Sequence, residues 1–325
     1  MNIRHRICLP LFATLLALAG AGVQAQSSPY PSRVIRIISP YAPGGSSDML
    51  ARAAADGVGK KLGQTIIIES RPGAGTLIGT RAVKGAPPDG YTLLLQSNGL
   101  ASNVSLFKDP GYALSDFKPV SVLGLTAYVL MIPAKLPVHT LKEFVAYAQS
   151  RNGQLSYGTL GRGGRTHILA EQLAIAGGFK WQEIPYKGGA DGVTAVLGGH
   201  IDGYFASVSL ALPHAKSKDL RLIAISSENR SEFLPDVQTF REEGYAQMLD
   251  FAWISLFARS DVPAPILEKL REAFREVVSS NEMKVARQNL SMSPYDIGIA
   301  AFENELQLAS KRALQEQKDF NIPAQ

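Results

Sequence analysis

The sequence predicts an α/β protein of two lobes, each with a mixed, mostly parallel sheet flanked by helices. Three observations predict this fold class. Apolar, strand-like runs alternate with helix-forming segments, two strand–helix junctions are rich in glycine, and two longer apolar runs separate the middle of the chain from its ends. With 325 residues, the chain is long enough for two domains and a sizeable core.

The first residues have the features of a secretory signal peptide. A basic start that includes Arg4 and Arg6 precedes an almost wholly apolar run at residues 7–20, and the small residue Ala25 marks the expected cleavage site. The apolar run is short for a membrane span. We therefore expect residues 1–25 to be removed and the mature protein to be exported.

The composition excludes several classes of function. The single cysteine, Cys8, lies within the expected signal peptide, so we expect a mature chain without disulfides or thiol chemistry. A formal net charge of +5, with no basic run that contains aromatic residues, argues against nucleic acid and is compatible with a small anionic ligand. Because no His-Glu-x-x-His motif or cysteine pair is present, we expect no metal and no other cofactor.

The first glycine-rich turn joins a predicted strand at residues 34–38 to a predicted helix. Gly44 and Gly45 allow the backbone to approach a ligand closely, and Ser46 or Ser47 can cap the helix. The start of a helix has unpaired amides and a partial positive charge, so this turn favours an anion. A simple loop with an N-cap explains a single turn of this kind equally well.

Two further strands complete the first sheet. Predicted strands at residues 65–69 and 91–95 are separated by a second glycine-containing turn and a helix, which indicates parallel pairing with right-handed crossovers. Ligands of such sheets bind beyond the carboxyl ends of the strands. Residues 41–47 and 96–98 are therefore candidates for the binding site.

The middle of the chain repeats the strand–glycine–helix design. The apolar run at residues 120–132 is predicted to cross into a second lobe, and the run at residues 251–257 to return from it. Between them, a short strand leads into a turn at residues 159–167 that is richer in glycine than the first and carries Arg162 and Arg165. Two such turns in one chain favour a binding function over a simple loop.

The two crossings divide the mature chain into lobes. We expect a discontinuous first lobe of residues 26–126 and 251–325, and a second lobe of residues 127–250. The C-terminal part of the first lobe contains two predicted helices, one that starts at Pro265 and a last one that spans about residues 300–318.

Four ordered motifs, together with the signal peptide, resemble those of a known family. The motifs are Pro40–Asp48, Arg71–Gly75, Pro88–Leu93 and Pro185–Gly189. The chain resembles the Bug (Bordetella uptake gene) family of periplasmic solute-binding proteins, the receptors of tripartite tricarboxylate transporters, over essentially all of the mature sequence. The resemblance implies a periplasmic, monomeric receptor with the type II-like clamshell fold. Such a receptor holds a small organic carboxylate between its lobes and delivers it to membrane permease subunits.

The resemblance also implies which residues hold the carboxylate. Backbone amides and hydroxyls of the two glycine-rich turns would bind its two ends, and the end of the third strand would line the wall. The candidates are Tyr41, Ala42, Gly45, Ser46 and Ser47 for one end, Thr159, Gly161 and Gly163 for the other, and Gln96 and Ser97 for the wall. Apart from the resemblance, Asp202 in a later turn is a further candidate for ligand binding, and it fits a simple turn residue equally well.

The second glycine-rich turn differs from the family pattern at two positions and carries two arginines. Arg162 stands where the family often has a small polar residue, and Gly164 where it often has serine or threonine. Arg162 and Arg165 can each hold a carboxylate in a two-pronged contact, or they can point to solvent.

Two alternatives to a transport receptor remain at this point. A secreted hydrolase would use Ser46 or Ser47 in a turn similar to a hydrolase elbow, but Asp48 stands where the second glycine of that motif is required. The mature histidines also have no spacing that assigns a catalytic base. A ligand sensor that acts on a signalling partner is the other alternative. We predict a receptor without enzymatic activity.

Overall fold

The computed structural model describes residues 29–161, 164–186, 188–320, 322 and 324. The expected signal peptide and the predicted site residues Arg162 and Gly163 lie outside the described residues. The strands are β1 (Ile35–Ser39), β2 (Ile66–Ser70), β3 (Thr92–Gln96), β4 (Phe117–Pro133), β5 (Ser156–Thr159), β6 (Gln182–Pro185), β7 (Gly203–Ser207), β8 (Leu220–Ile225) and β9 (Phe251–Arg259). The α-helices are α1 (Ser46–Leu62), α2 (Leu77–Lys84), α3 (Gly99–Leu106), α4 (Leu141–Ser150), α5 (Arg165–Gly177), α6 (Gly189–Leu197), α7 (Val208–Ala211), α8 (Ala264–Val278), α9 (Asn281–Asn289) and α10 (Ile299–Asp319).

The sheet is mixed, and its parallel and antiparallel pairs are separated in space. The strand order is β2-β1-β3-β9-β4-β7-β5-β6, and β8 also pairs with β4. The outer strands pair in parallel, β1 with β2 and β3, and β5 with β6 and β7. The pairs that involve β4 or β9 are antiparallel. The parallel parts therefore come from the strand–helix units that the sequence predicts.

The long strand β4 connects two halves of the molecule. Its residues 117–127 pair with β9, whereas residues 128–133 pair with β7 and β8. We use "first half" for β1, β2, β3, β9 and residues 117–127 of β4, with the helices packed on them, and "second half" for the other strands and their helices. The change of partner lies at the position that we propose as the boundary between the lobes.

The apolar run at residues 251–257 forms β9 and does not cross between the halves, in contrast to the expectation from the sequence. Phe251, its first residue, pairs with Ala127, and all of its pairing with β3 and β4 lies in the first half. The run is apolar because it is part of a central strand of the first half with both faces covered, and seven of the nine residues of β9 are buried. The chain returns to the first half before this strand.

The carboxyl ends of the parallel strands in the two halves point towards each other. In the first half, β3 and β4 are both antiparallel to β9, so the carboxyl end of β3 points along β4 towards residue 127. In the second half, β7 is antiparallel to β4 with Ser207 opposite Tyr128, and β5 is parallel to β7. The carboxyl ends of β5 and β7 therefore point towards residue 128 of β4, from the direction opposite to that of β3.

Each half has apolar cores on both faces of its strands. In the first half, residues such as Leu50 of α1 and Phe274 of α8 pack on one face, and Phe302 of α10 packs on the other. In the second half, Phe144 of α4 and Val196 of α6 lie in separate clusters on opposite sides. Within the described residues, no helix is both long and apolar enough to cross a membrane.

Candidate functional site

The turn between β1 and α1 lies at the carboxyl edge of the first half and contains five of the predicted site residues. Tyr41, Ser46 and Ser47 are half-buried, and Ala42 and Gly45 are exposed. Ser70, the last residue of β2, donates its hydroxyl hydrogen bond to the Tyr41 carbonyl. The neighbouring strand thus fixes the start of the turn.

Asp48 holds the shape of this turn from inside the protein. Its side chain is 3% exposed, and it accepts hydrogen bonds from the Gly44 amide at 3.0 Å and from Arg52 Nε at 2.9 Å. Burial alone would raise the pKa of Asp48, but the Arg52 guanidinium and the Gly44 amide hold that pKa below its ordinary value. Asp48 is therefore ionised and has a structural role. The Gly44 amide can reach it because Gly44 adopts a φ of 82°, a backbone angle that suits glycine.

Helices α1 and α5 begin with nearly the same backbone geometry. The residue before each helix is a glycine: Gly45 has φ −71° and ψ 163°, and Gly164 has φ −69° and ψ 163°. No side chain of the described residues caps either helix, whereas Thr140 and Ser280 cap the starts of α4 and α9. Without a side-chain cap among the described residues, the starts of α1 and α5 keep a partial positive charge that favours an anion.

Gln96, at the carboxyl end of β3, positions other residues of the site. It is fully buried, and its Nε2 donates to the hydroxyls of Thr76 at 2.9 Å and Thr80 at 3.1 Å. Its Oε1 accepts from the Tyr41 hydroxyl and from the Ser97 amide. These contacts use all four hydrogen-bonding positions of the amide, so Gln96 has none left for a ligand.

Three residues behind Gln96 were not predicted from the sequence. Thr76 has a left-handed backbone with φ 81°, and its hydroxyl accepts from both Gln96 and Asn103. Thr80 is fully buried and hydrogen-bonds Gln96 from α2. No sequence signal identifies these residues, because each contributes through a contact with a residue that is distant in the chain.

The turn between β5 and α5 is fixed in a similar way by two threonines. Thr159 is fully buried; its hydroxyl accepts from the Gly161 amide at 3.1 Å and donates to Glu183 Oε1 at 2.9 Å. The Thr166 hydroxyl accepts from the Leu160 amide at 3.0 Å. Thr159 is therefore a positioning residue. Gly161 has a φ of 117°, which suits glycine, and open space beside its Cα.

Arg165 is held by protein carboxylates. Its Nε donates to Asp250 Oδ2 at 2.8 Å, its Nη2 pairs with the same oxygen, and its Nη1 donates to Glu316 Oε2 at 2.7 Å. Burial disfavours its charge, but the two carboxylates outweigh that effect and raise the pKa of Arg165 above its ordinary value. The guanidinium is thus committed to α10 and to the residue before β9, beside a cavity of about 250 Å³.

Asp202 lies away from the other predicted site residues. Its carboxylate accepts from the Ser156 amide at 2.8 Å, at the amino end of β5, whereas the turn with Thr159 follows the carboxyl end of that strand. We therefore leave Asp202 out of the proposed site. Ser207, at the carboxyl end of β7, has the expected position instead, and its hydroxyl lies 2.9 Å from that of Ser209.

The arrangement provides amide-rich helix starts on facing strand ends. Among the described residues, no group of three His, Cys, Asp or Glu side chains could hold a metal ion. Burial raises the pKa of Tyr41, so its phenol stays neutral and does not repel an anion. Chemically, the site is suited to binding a small anion by hydrogen bonds.

The comparisons with known proteins agree with this geometry. The family model described as "Tripartite tricarboxylate transporter family receptor" matches residues 50–315. Protein BugT of Bordetella pertussis is 34% identical over 275 residues, which are 84% of each chain. The solved structure of the periplasmic binding protein BugD is 28% identical with a TM-score of 0.80, over 91% of this chain and 100% of that one.

A second solved structure carries a ligand. MatC from Rhodopseudomonas palustris, solved with bound malate, is 26% identical with a TM-score of 0.80, over 88% of this chain and 99% of that one. The family match excludes the hydrolase alternative, because these proteins are receptors and not enzymes. The chain belongs to the tripartite tricarboxylate transporter receptor family, the Bug-type periplasmic solute-binding proteins.

Proposed function

We propose that the protein captures a small organic carboxylate between its two lobes and delivers it to the membrane permease of a tripartite transporter. The observation that carries this proposal is the pair of glycine N-caps, Gly45 and Gly164, with matching backbone angles on facing strand ends. The malate that MatC holds supports the same class of ligand.

In this proposal, the first-turn amides of α1 and α5 donate to the oxygens of the ligand. Ser46 and Ser47 add hydroxyl donors from the first half, and Gly161 lets the second turn approach closely. A hydrogen bond to a charged group contributes about 1.5–3 kcal/mol, and association costs roughly 4–15 kcal/mol. Five or six such bonds are enough for micromolar affinity, about −8 kcal/mol, without a metal or an arginine contact.

The same geometry suggests how binding is linked to transport. Because each half supplies one helix start, a ligand that binds both stabilises the arrangement in which the halves are close together. A permease in the membrane would recognise that arrangement and accept the ligand from a monomeric receptor in the periplasm. The expected signal peptide, which lies outside the described residues, would direct the chain there.

The test is calorimetry of the purified protein with a panel of ligands. We expect micromolar binding of at least one di- or tricarboxylate, and no binding of the matching amide or methyl ester, because these lack the charge that the helix starts favour. Amino acids and aromatic acids complete the panel. If no carboxylate binds and the protein hydrolyses the esters, the proposed function is wrong.

A further inference from the structure

A second cavity, of about 520 Å³, lies in the first half away from the candidate site. Its lining comes from β4, from the end of α8, from α9 and from the segment that leads into α10. Six of its residues carry the argument, and together they define what we call the arginine pocket: Val120, Val122, Val278, Arg287, Tyr295 and Ile299. None of these residues belongs to the turns at the carboxyl edges of the strands.

Arg287 is a buried cation that has no acidic partner among the described residues. It is only 7% exposed. Its Nη1 donates to the carbonyls of Leu123 at 3.3 Å and Val278 at 3.1 Å, and its Nη2 donates to Val278 at 3.1 Å. Within the part of the chain that the structure describes, no carboxylate forms an ion pair with it. The guanidinium is balanced only by neutral carbonyls, one of them at the carboxyl end of α8.

Two of the five N–H groups of Arg287 remain available. The three hydrogen bonds use both hydrogens of Nη1 and one of Nη2, which leaves the Nε hydrogen and the second Nη2 hydrogen without an acceptor among the described residues. Neither nitrogen is a buried atom without a partner; of the described side chains, only Trp181 has such an atom. Since Nε makes no hydrogen bond among the described residues and is not one of these buried atoms, it retains some contact with solvent, and Arg287 lines the pocket.

The energetics favour an anion beside Arg287. A buried charge that lacks a charged partner is unfavourable, and burial lowers the pKa of Arg287 from its ordinary value. A carboxylate that accepts from Nε and Nη2 would form a charge-assisted, two-pronged contact. Arg271, also in the lining, is already committed to the Pro119 carbonyl and to two glutamates.

The rest of the lining is mixed, with apolar residues beside Ser121, Ser279 and the charged residues Glu268, Arg271, Arg275 and Asp296. The side chains of Val120, Val122, Val278 and Ile299 and the ring of Tyr295 face a volume within the range of small-molecule pockets. Of the other charged residues in the lining, Glu268 pairs with Arg271, and Arg275 lies 3.9 Å from Glu272. The ligand that fits this combination has one negative group and an apolar body.

We propose that the arginine pocket binds an amphipathic monocarboxylate, such as a medium-chain fatty acid. Its carboxylate accepts from the free N–H groups of Arg287, and its chain lies against the valines of β4 and α8. This binding is independent of the carboxylate that we propose for the cleft between the lobes.

The test is calorimetry of the purified protein with octanoate, and with octanol as the uncharged ligand of similar shape. We expect octanoate to bind with 1:1 stoichiometry and octanol to bind at least ten times more weakly. Gly45→Val, which blocks the proposed cleft, should leave the octanoate affinity unchanged. Arg287→Met and Val278→Phe should each weaken it at least tenfold, the first by removing the donors and the second by filling the pocket while keeping them.

Arg221→Met is the matched control, because Arg221 also donates only to carbonyls, those of Leu136 and Val138, and lies outside the pocket. It should leave octanoate binding unchanged. The proposal is overturned if octanoate does not bind, if octanol binds equally well, or if Gly45→Val removes octanoate binding. It is also overturned if octanoate still binds to Val278→Phe. This variant keeps Arg287, so its result does not depend on whether the fold tolerates the loss of that residue.

Discussion

At the scale of single residues, the buried polar side chains near the site hold the backbone of the turns. Asp48, Gln96 and Thr159 are each at most 2% exposed. Asp48 accepts from the Gly44 amide, Thr159 from the Gly161 amide, and Gln96 from the Tyr41 hydroxyl. Main-chain amides and small hydroxyl groups of the turns are the groups that remain to bind a ligand. Affinity should therefore depend on backbone access more than on any single charged side chain.

Backbone access is tested by Gly45→Val. An added Cβ would meet only the Ala42 carbonyl, at 3.8 Å, and the φ of −71° is one that other residues adopt. We expect the free energy of unfolding to fall by no more than about 1 kcal/mol, since glycine is only a moderately better N-cap than larger residues. Carboxylate affinity should fall at least a hundredfold in calorimetry, because the side chain occupies the place of the ligand.

The control for this substitution is Gly85→Val, at the end of α2. Its Cβ would also meet only carbonyl oxygens, the nearest at 3.5 Å. It should bind the carboxylate like the unchanged protein. Normal binding by Gly45→Val would place the site elsewhere.

The positioning role of Gln96 gives a second prediction at this scale. Gln96→Met keeps the length of the side chain but removes partners from Thr80, Tyr41 and the Ser97 amide. Because an unpaired buried polar group costs about 1–3 kcal/mol, we expect the free energy of unfolding to fall by roughly 2–4 kcal/mol in urea denaturation. Gln182→Met, at an exposed glutamine with one contact to Gly153, should change it by less than about 0.5 kcal/mol. Equal effects of the two substitutions would contradict the role of Gln96.

At the scale of elements, helices α1 and α5 each begin after a glycine with nearly the same backbone angles, and both starts lie at the facing strand ends. Their positions follow from the strands before them, since β1 and β5 both end at those edges. The sequence predicted both turns, because glycine clusters between an apolar strand and a helix are a local signal. It did not predict that Thr159 is a support, because that depends on Glu183 of the neighbouring strand.

The start of α1 also makes stability depend on pH through Asp48. The pKa of Asp48 is lower in the folded protein than its ordinary value of 3.8, so its stabilising contribution is present above that pH and is lost as the pH falls through the folded pKa. Asp48→Asn should lower the free energy of unfolding by about 1–2 kcal/mol at neutral pH, and the difference should shrink towards zero under strongly acidic conditions.

Urea denaturation across this pH range measures the effect of Asp48. The matched control is Asp56→Asn, since Asp56 forms an exposed pair with Lys60 one turn along the same helix, with 67% of its side chain accessible. That substitution should change stability little at either pH. A pH-independent loss in Asp48→Asn would show that the contribution of Asp48 is not ionic.

At the scale of the whole molecule, contacts across the two halves involve residues from the C-terminal part of the chain. Glu316 of α10 pairs with Arg165 of α5, and Ile322 packs with Leu106 of the first half and Ile168 of the second. The sequence predicted α10 and the long apolar strand β4, because both have clear periodicity or length. It assigned residues 251–325 to the first lobe, but it could not tell that β9 is a central strand of that lobe and not a crossing strand, since both kinds of strand are equally apolar.

The pair of Arg165 and Glu316 gives a prediction at this scale. Their side chains are 19% and 14% exposed, so the pair is less screened than a surface pair. Glu316→Gln should lower the free energy of unfolding by about 1–2 kcal/mol, because Arg165 keeps Asp250 as its other partner. Glu305→Gln, on the same helix, breaks the pair with the more exposed Arg312 and should lower it by less than about 0.5 kcal/mol. Equal losses would contradict a special role for the contact between the halves.

The central claim is that the main-chain amides at the starts of α1 and α5 bind one carboxylate together. The most direct measurement is an amide ¹H–¹⁵N NMR titration of the labelled protein with the carboxylate that calorimetry identifies. The account predicts that the amides of Ser46, Ser47, Arg165 and Thr166 shift at the same ligand concentration, and that none of them shifts in Gly45→Val. Saturating binding that leaves the amides of either helix start unchanged would contradict it.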